Sequence, residues 1–328
     1  MKILILGGAG MVGRKLAERL ARDGRLGDSE ISSLTLYDVV QPAKPPGAAF
    51  PVELLTGDLP APGQAEKLVA GKPDVIFHLA AIVSGEAEQD FDKGYRINLH
   101  GTMLLLEAIR KACEGAAKLP RVIFTSSIAV FGAPFPEKIP DDFIHTPLTS
   151  YGTQKSIGEL LIADYTRKGM LDGVGIRLPT ICIRPGKPNK AASGFFSNIM
   201  REPLAGQEAV LPVSDTVMHW HASPRAAVGF LLHAATIDGD KLGARRNLSM
   251  PGIAITVGGQ IDALRKVAGE KVVARIRREP DPFVETIVAG WPRNFDTRRA
   301  IGLGFVADNS FEDIIRVHIE DELGGTIA

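Results

Sequence analysis

Surplus charge, cysteine, tryptophan and long apolar runs are all scarce in this chain. Its 38 Lys and Arg are matched by 38 Asp and Glu in 328 residues, so the formal net charge is zero. Non-specific nucleic-acid binding runs on an excess of cations, and no such partner is expected. Two cysteines, Cys113 and Cys182, build neither a disulfide framework nor a Cys-rich zinc site. They read as small core hydrophobes in a reducing, cytoplasmic setting. No stretch approaches the ~18 consecutive apolar residues of a membrane span, and Ile3–Leu6 is too short for a secretory signal core. A soluble, untargeted protein with no membrane partner is expected. The seven histidines show no helical ligand spacing, and His219-x-His221 is too little for a metal site, so no metal is expected.

What is present is the composition of an ordinary folded protein, with 45% hydrophobic and 23% charged residues. Continuous apolar runs at Ile3–Leu6, Leu34–Asp38, Val52–Leu55, Asp74–His78, Arg121–Ser126 and Gly173–Leu178 read as strands buried on both faces. Helical patterns separate them: one follows Gly13 and stops near Gly24, one runs from Ala87 to Cys113, and one spans Tyr151–Arg167. Leu99, Met103, Leu106 and Ile109 form the predicted buried stripe of the second. Such alternation predicts an α/β fold, a Rossmann-type doubly wound parallel sheet. Past Leu178 the texture becomes rich in Pro and Gly. Residues 1–180 are therefore expected to be the dinucleotide-binding part. Residues 181–328 are expected to be mainly a smaller α/β substrate-binding region, with about 215–240 returning to pack on the first. Ser223–Ala235 and Phe311–Leu323 read as helices, and the basic cluster Arg265–Arg278 as a solvated face.

Gly7-Gly8-Ala9-Gly10-Met11-Val12-Gly13 directly follows the first strand and opens a helix. Glycines there permit a tight turn and close backbone approach to a pyrophosphate, while the helix N-terminus offers N–H donors and positive potential. Asp38 ends the second strand, 25 residues after Gly13, where a carboxylate suits ribose hydroxyls and repels a 2′-phosphate. NAD is thus favoured over NADP. Asp58 and Leu59 follow the third strand and are placed at the adenine, although a plain turn explains them too. Leu79, Ala80 and Ala81 leave room at the carboxyl end of the fourth strand, whereas His78 reads as structural. Thr125-Ser126-Ser127 ends the fifth strand, and Tyr151 and Lys155 share one helix face at i, i+4. A neighbouring ammonium stabilises a phenolate, so Lys155 is expected to lower the Tyr151 pKa and make it a base. The spacing alone is weak evidence; the Ser pair and the glycine loop give it weight.

Taken together, GGAGMVG, Asp38, GDL, HLAA, Asn98-x-x-Gly101-Thr102, TSSIAVFG and YGTQK resemble the extended short-chain dehydrogenase/reductases of the NAD-dependent epimerase/dehydratase family. Weaker matches lie at Arg177–Ile181, His219–Ala222 and Arg298–Phe305. The resemblance implies NAD as cofactor, Tyr151 as base, Ser127 as partner of the reacting oxygen, and Lys155 on the ribose. It also implies Asn98 as support for the central helix, Pro179 and Ile181 near the nicotinamide carboxamide, and a homodimer through helices around 87–113 and 149–168. RLPTICIRPGKPNKAASGFF lacks the Asn and Tyr-Gly-Pro turn usual in nucleotide-sugar epimerases. It is similar to the branch that oxidises D-erythronate at C2, which implies a small anionic sugar acid as substrate. Arg184, Lys187 and Lys190 form a rigid cationic segment able to hold a small anion, or merely a solvated loop. Lys187 and Lys190 are taken as its carboxylate partners, and Ser84, Asn189 and Ser193 as contacts to hydroxyls. His219, His221, Arg293 and Asn294 are further pocket candidates. A nucleotide-sugar epimerase or dehydratase with tightly held NAD stays open, as does an NAD-sensing regulator without turnover.

Overall fold

Six apolar runs become parallel strands: β1 (Lys2–Leu6), β2 (Ser33–Asp38), β3 (Val52–Thr56), β4 (Val75–His78), β5 (Arg121–Ser127) and β6 (Asp172–Leu178). The computed structural model describes residues 1–186 and 193–328. Among the shorter strands that follow are β7 (Thr180–Ile181), β8 (Met218–Ala222), β9 (Asn247–Ser249) and β10 (Ile253–Thr256). The main sheet has the order β9-β6-β5-β4-β1-β2-β3, parallel throughout. Strand β9 was not legible in the sequence: it has three residues and adds to the edge by pairing Leu248 with Ile176. A smaller sheet, β10-β8-β7, stands beyond it.

The chain builds outward from β1 to β3, then crosses back to place β4 on the other side of β1. That reversal opens a crevice at the carboxyl ends of β1 and β4, where open α/β sheets bind ligands. Register keeps the two ends level, Leu6 opposite His78. Side chains alternate between two cores. Ile3 and Ile5 pack toward α1 (Met11–Asp23) and the returning helix Pro224–Thr236, while Leu4 and Leu6 pack toward Gln64–Val69, Gly101–Ala112 and Ser150–Arg167. A further core joins Gly194–Leu204, Val257–Ala268 and Phe311–Glu322. Among the described residues no helix is long and apolar enough to cross a membrane.

Three expectations need correction. The stretch 87–113 is not one helix: Asp90 leaves helical geometry and its side chain accepts from the Lys93 amide, starting a new turn. A π-helical turn, Tyr95–His100, then re-registers the chain. Met103 consequently faces outward, 46% exposed, and Leu105 takes its place in the core. Cys113 is half-buried at a helix end, so only Cys182 is a core thiol; its pKa is pushed up to about 12 by burial. The basic cluster is a surface, as expected, with Arg265, Lys266, Arg277 and Arg278 each paired to a nearby carboxylate.

Candidate active site

The glycine loop has little room to be anything else. Gly7 has φ 90°, and a Cβ there would lie 2.8 Å from the Ala80 amide nitrogen. A Cβ on Gly13 would lie 2.1 Å from the Gly7 carbonyl oxygen, so only hydrogen lets α1 start this close to β1. Helix α1 has no side-chain cap and no acidic residue in its first turn. Its orphan N–H groups therefore face the crevice, as an anion requires. Asp38 stands over the same loop, accepting from the Ala9 amide at 2.9 Å and the Val39 amide at 2.7 Å.

The second half of the site comes from α5 (Ser150–Arg167; α2 to α4 being Gln64–Val69, Ser84–Gln89 and Gly101–Ala112). Thr149 caps α5 by accepting from the Gly152 amide. Gly152 and Gly158 lack the Cβ atoms that would strike Ala129 and the Phe124 ring, which brings α5 onto the end of β5. Tyr151 and Lys155 thus meet Ser127. The Lys155 ammonium, 2% exposed, donates to the Thr125 carbonyl at 2.8 Å. Burial lowers its pKa to about 8 against the raising influence of Glu159, one turn along the helix. Glu159 is itself fully buried, accepts from Ser126 and pairs with Arg177 at 2.8 Å.

Tyr151 corrects the sequence-based expectation. Its pKa is raised above the usual 10, because desolvation outweighs the lowering effects of Ser127, which faces its hydroxyl, and of Arg184. Arg184 lowers the phenol pKa, while the Lys155 ammonium, 5.8 Å from the centre of the Tyr151 ring, donates to the Thr125 carbonyl.

These groups open into one cavity of about 790 Å³, within the size range of small-molecule sites. Gly7, Gly10, Met11, Val12 and Gly13 line one end, with Leu79, Ala81 and Thr125 beside them. Ser127, Tyr151, Lys155, Pro179 and Ile181 line the middle, and Ser84, Arg184, Ser193 and His219 the far end. Asp38, Asp58, Leu59, Ala80 and Asn98 lie outside the lining. Asp58 pairs with Arg96 at the surface, and Leu59 is a core residue. Asn98 is buried in the π-turn, where it accepts from the Ile82 amide and donates to Gln154, fixing the β4 exit from behind. His78 is buried against Thr102, its pKa pushed down to about 3. His221 is enclosed beside Gln260, and Arg293 and Asn294 do not reach the cavity. Lys187, Asn189 and Lys190 lie outside the described residues.

Sequence reasoning missed the far wall, Thr286, Ile287, Trp291 and Pro292, contributed from more than a hundred residues beyond Tyr151. Trp291-Pro292 was the available signal, one of only two tryptophans beside a rigid residue. It also missed Glu159, a carboxylate inside a buried helix face at i+4 from Lys155.

The glycine cradle, the uncapped helix end and the cavity suit a dinucleotide, and comparison with known proteins agrees. The family model for the NAD dependent epimerase/dehydratase family matches residues 3–221. A D-erythronate dehydrogenase of Cupriavidus necator is 46% identical over 325 residues, covering 98% of both chains. One of Haemophilus influenzae is 43% identical over 98% of this chain and 100% of its own. A crystal structure from Agrobacterium tumefaciens, described as a nucleoside-diphosphate-sugar epimerase, superimposes with a TM-score of 0.98 at 66% identity, covering 100% of this chain and 96% of that one. By its sheet, its glycine loop and its Ser, Tyr and Lys, this chain belongs to the NAD-dependent epimerase/dehydratase family.

Proposed function

We propose that this protein is an NAD-dependent dehydrogenase that oxidises the C2 hydroxyl of a small sugar acid, D-erythronate, to the 2-oxo acid. The observation that carries the reading is the convergence of Ser127, Tyr151 and Lys155 on one cavity that begins at the glycine loop. The loop amides from Gly10 to Gly13 hold the pyrophosphate of NAD, Asp38 the adenosine ribose, and Asp58 and Leu59 the adenine edge. Lys155 serves the second ribose, with Leu79, Ala81, Thr125, Pro179 and Ile181 around the nicotinamide. Bound there, NAD supplies the electron acceptor for C2 and a positive ring that favours the phenolate. Tyr151 takes the proton of the C2 hydroxyl, and Ser127 holds the same oxygen as it becomes a carbonyl. Ser84 and Ser193 face the remaining hydroxyls. Residues 1–180 thus serve mainly the cofactor and 181–328 mainly the substrate.

Names of relatives favour two substrates: two full-length relatives are D-erythronate dehydrogenases, and the more similar crystal structure is described as an epimerase. One feature of the cavity favours the acid. Among its described cations, Arg201 is already paired with Glu202 and Lys155 with a carbonyl, leaving one guanidinium where a nucleoside diphosphate presents two charged phosphates. NADH formation is the test, measured over four- to six-carbon aldonates and beside UDP- and dTDP-sugar isomerisation. Turnover of a nucleotide sugar with none of any aldonate overturns the dehydrogenase reading.

Free Cys113 and Cys182 suit work in the reducing cytoplasm. Met103, Leu104 and Leu160 are exposed on α4 and α5, which suits a homodimer through those helices. Sedimentation that gives a 35.1 kDa particle at micromolar concentration refutes the dimer.

A further inference from the structure

We propose that Arg184 holds the substrate carboxylate and makes the enzyme select acids over neutral sugars; this rests on the sugar-acid dehydrogenase reading above. Arg184 lies three residues beyond the end of β7 and its guanidinium faces the cavity. The surroundings fix it in place. Its Nε donates to the Ile181 carbonyl at 2.9 Å and its Nη2 to Ser193 Oγ at 3.0 Å. Its own amide donates to Ser197 Oγ, and its carbonyl accepts from Arg201 at 2.7 Å. Side chain and backbone are both pre-set, so little freedom is lost on binding.

What the guanidinium lacks is an anion. Among the described residues it makes no ion pair, and burial lowers its pKa with no carboxylate acting to raise it. The remaining neighbours in sequence, residues 187–192, read Lys-Pro-Asn-Lys-Ala-Ala and contain no acid. A partly buried guanidinium without a counter-ion is costly, and a planar carboxylate satisfies two of its donors at once. No other described group in this half of the cavity competes for that part. Arg201 is paired with Glu202, and His219 is uncharged, its pKa pushed down to about 3 by burial while its Nε2 meets Thr180.

Position then restricts the substrate. Arg184 and Tyr151 line the same cavity, and the Arg184 charge acts on the Tyr151 phenol. An acid held there presents to Tyr151 the hydroxyl next to its carboxylate. Under the dehydrogenase reading above, the class this assigns is short 2-hydroxy acids.

The test compares D-erythronate with its uncharged amide on wild type and Arg184→Gln, alongside NAD affinity by fluorescence titration. Losing a charge-assisted pair corresponds to about a ten- to hundredfold rise in KM. We expect that rise in KM for the acid, little change in KM for the amide, a loss of kcat through the Tyr151 phenol common to both substrates, and NAD affinity within a few-fold of wild type. Arg184→Lys, which keeps charge but not the fork, should retain a preference for acid over amide at a raised KM; it serves equally if the glutamine variant does not fold. An unchanged KM for the acid, or equal rises in KM for acid and amide, overturns the Arg184 assignment while leaving the dehydrogenase intact. A wild type that oxidises no aldonate overturns both.

Discussion

Two glycines of the same loop should fail in opposite ways when given one methyl group. Gly13 is enclosed: a Cβ would lie 2.1 Å from the Gly7 carbonyl oxygen and 3.0 Å from the Gly8 Cα, both backbone atoms that cannot swing aside. Gly10 has φ −67° and ψ 162°, a conformation open to any residue, and its Cβ would meet only the Gly7 oxygen, at 3.3 Å. Its free side faces the cavity. Gly13→Ala must push α1 off β1, and overpacking of this kind costs roughly 1–3 kcal/mol. Unfolding entropy of roughly 2.1 cal/mol/K per residue converts each kcal/mol to about 1.5 °C in Tm for 328 residues. A fall of about 1.5–4.5 °C is expected. Gly10→Ala should leave Tm within about 1 °C, since its neighbour need give only a few tenths of an ångström. Its methyl occupies the space through which a pyrophosphate reaches the helix amides. Losing charge-assisted hydrogen bonds of ~1.5–3 kcal/mol weakens NAD roughly ten- to hundredfold. Calorimetric melting and NAD titration of both variants decide the matter. Gly10→Ala binding NAD like wild type, or melting as low as Gly13→Ala, refutes the placement of the phosphates.

Tyr151→Phe should retain NAD binding and lose about 10²–10⁴ in turnover, the usual worth of a general base; a tenth of the wild-type rate remaining would sink the assignment. Because burial holds the phenol above its usual pKa of 10, kcat/KM for oxidation should climb with pH from 6 to 9, and a plateau by pH 7 contradicts this. Lys155→Met should weaken NAD and turnover yet raise thermal stability at pH 7: a folded pKa of about 8 against 10.5 unfolded makes the buried charge cost about 3 kcal/mol. Between those two values the unfolded chain binds more protons, so wild-type stability rises with pH and the advantage of the variant should disappear by pH 10.5; an advantage independent of pH refutes it. Asp38→Ala should narrow the preference for NAD over NADP, and equal wild-type kcat/KM for the two cofactors would show that Asp38 does not face the ribose.

Local signals, each confined to a few residues, made the first half of the protein legible. Ile3–Leu6 and its counterparts are apolar without alternation, and only strands of a covered parallel sheet bury both faces of such a run. The glycine loop, Asp38, Ser127, Tyr151 and Lys155 follow from strand ends and from i, i+4 spacing, which sequence displays directly. What tertiary structure decided is of another kind. Strand β9 is too short to carry a signal and exists because β6 has a free edge. Met103 faces outward because Asp90 and the π-turn reset the helix phase, which no fixed period of 3.6 follows. The Tyr151 pKa rises although a lysine lies one turn away, because desolvation depends on everything packed around the phenol while spacing reports one neighbour. Trp291 and Pro292 close the cavity from far along the chain, and Arg184 is left without a carboxylate among the described residues. Sequence thus determined which residues are the candidates for the chemistry. Folding decided which charges are desolvated and which stay unpaired, because both depend on neighbours that only the packed chain brings together.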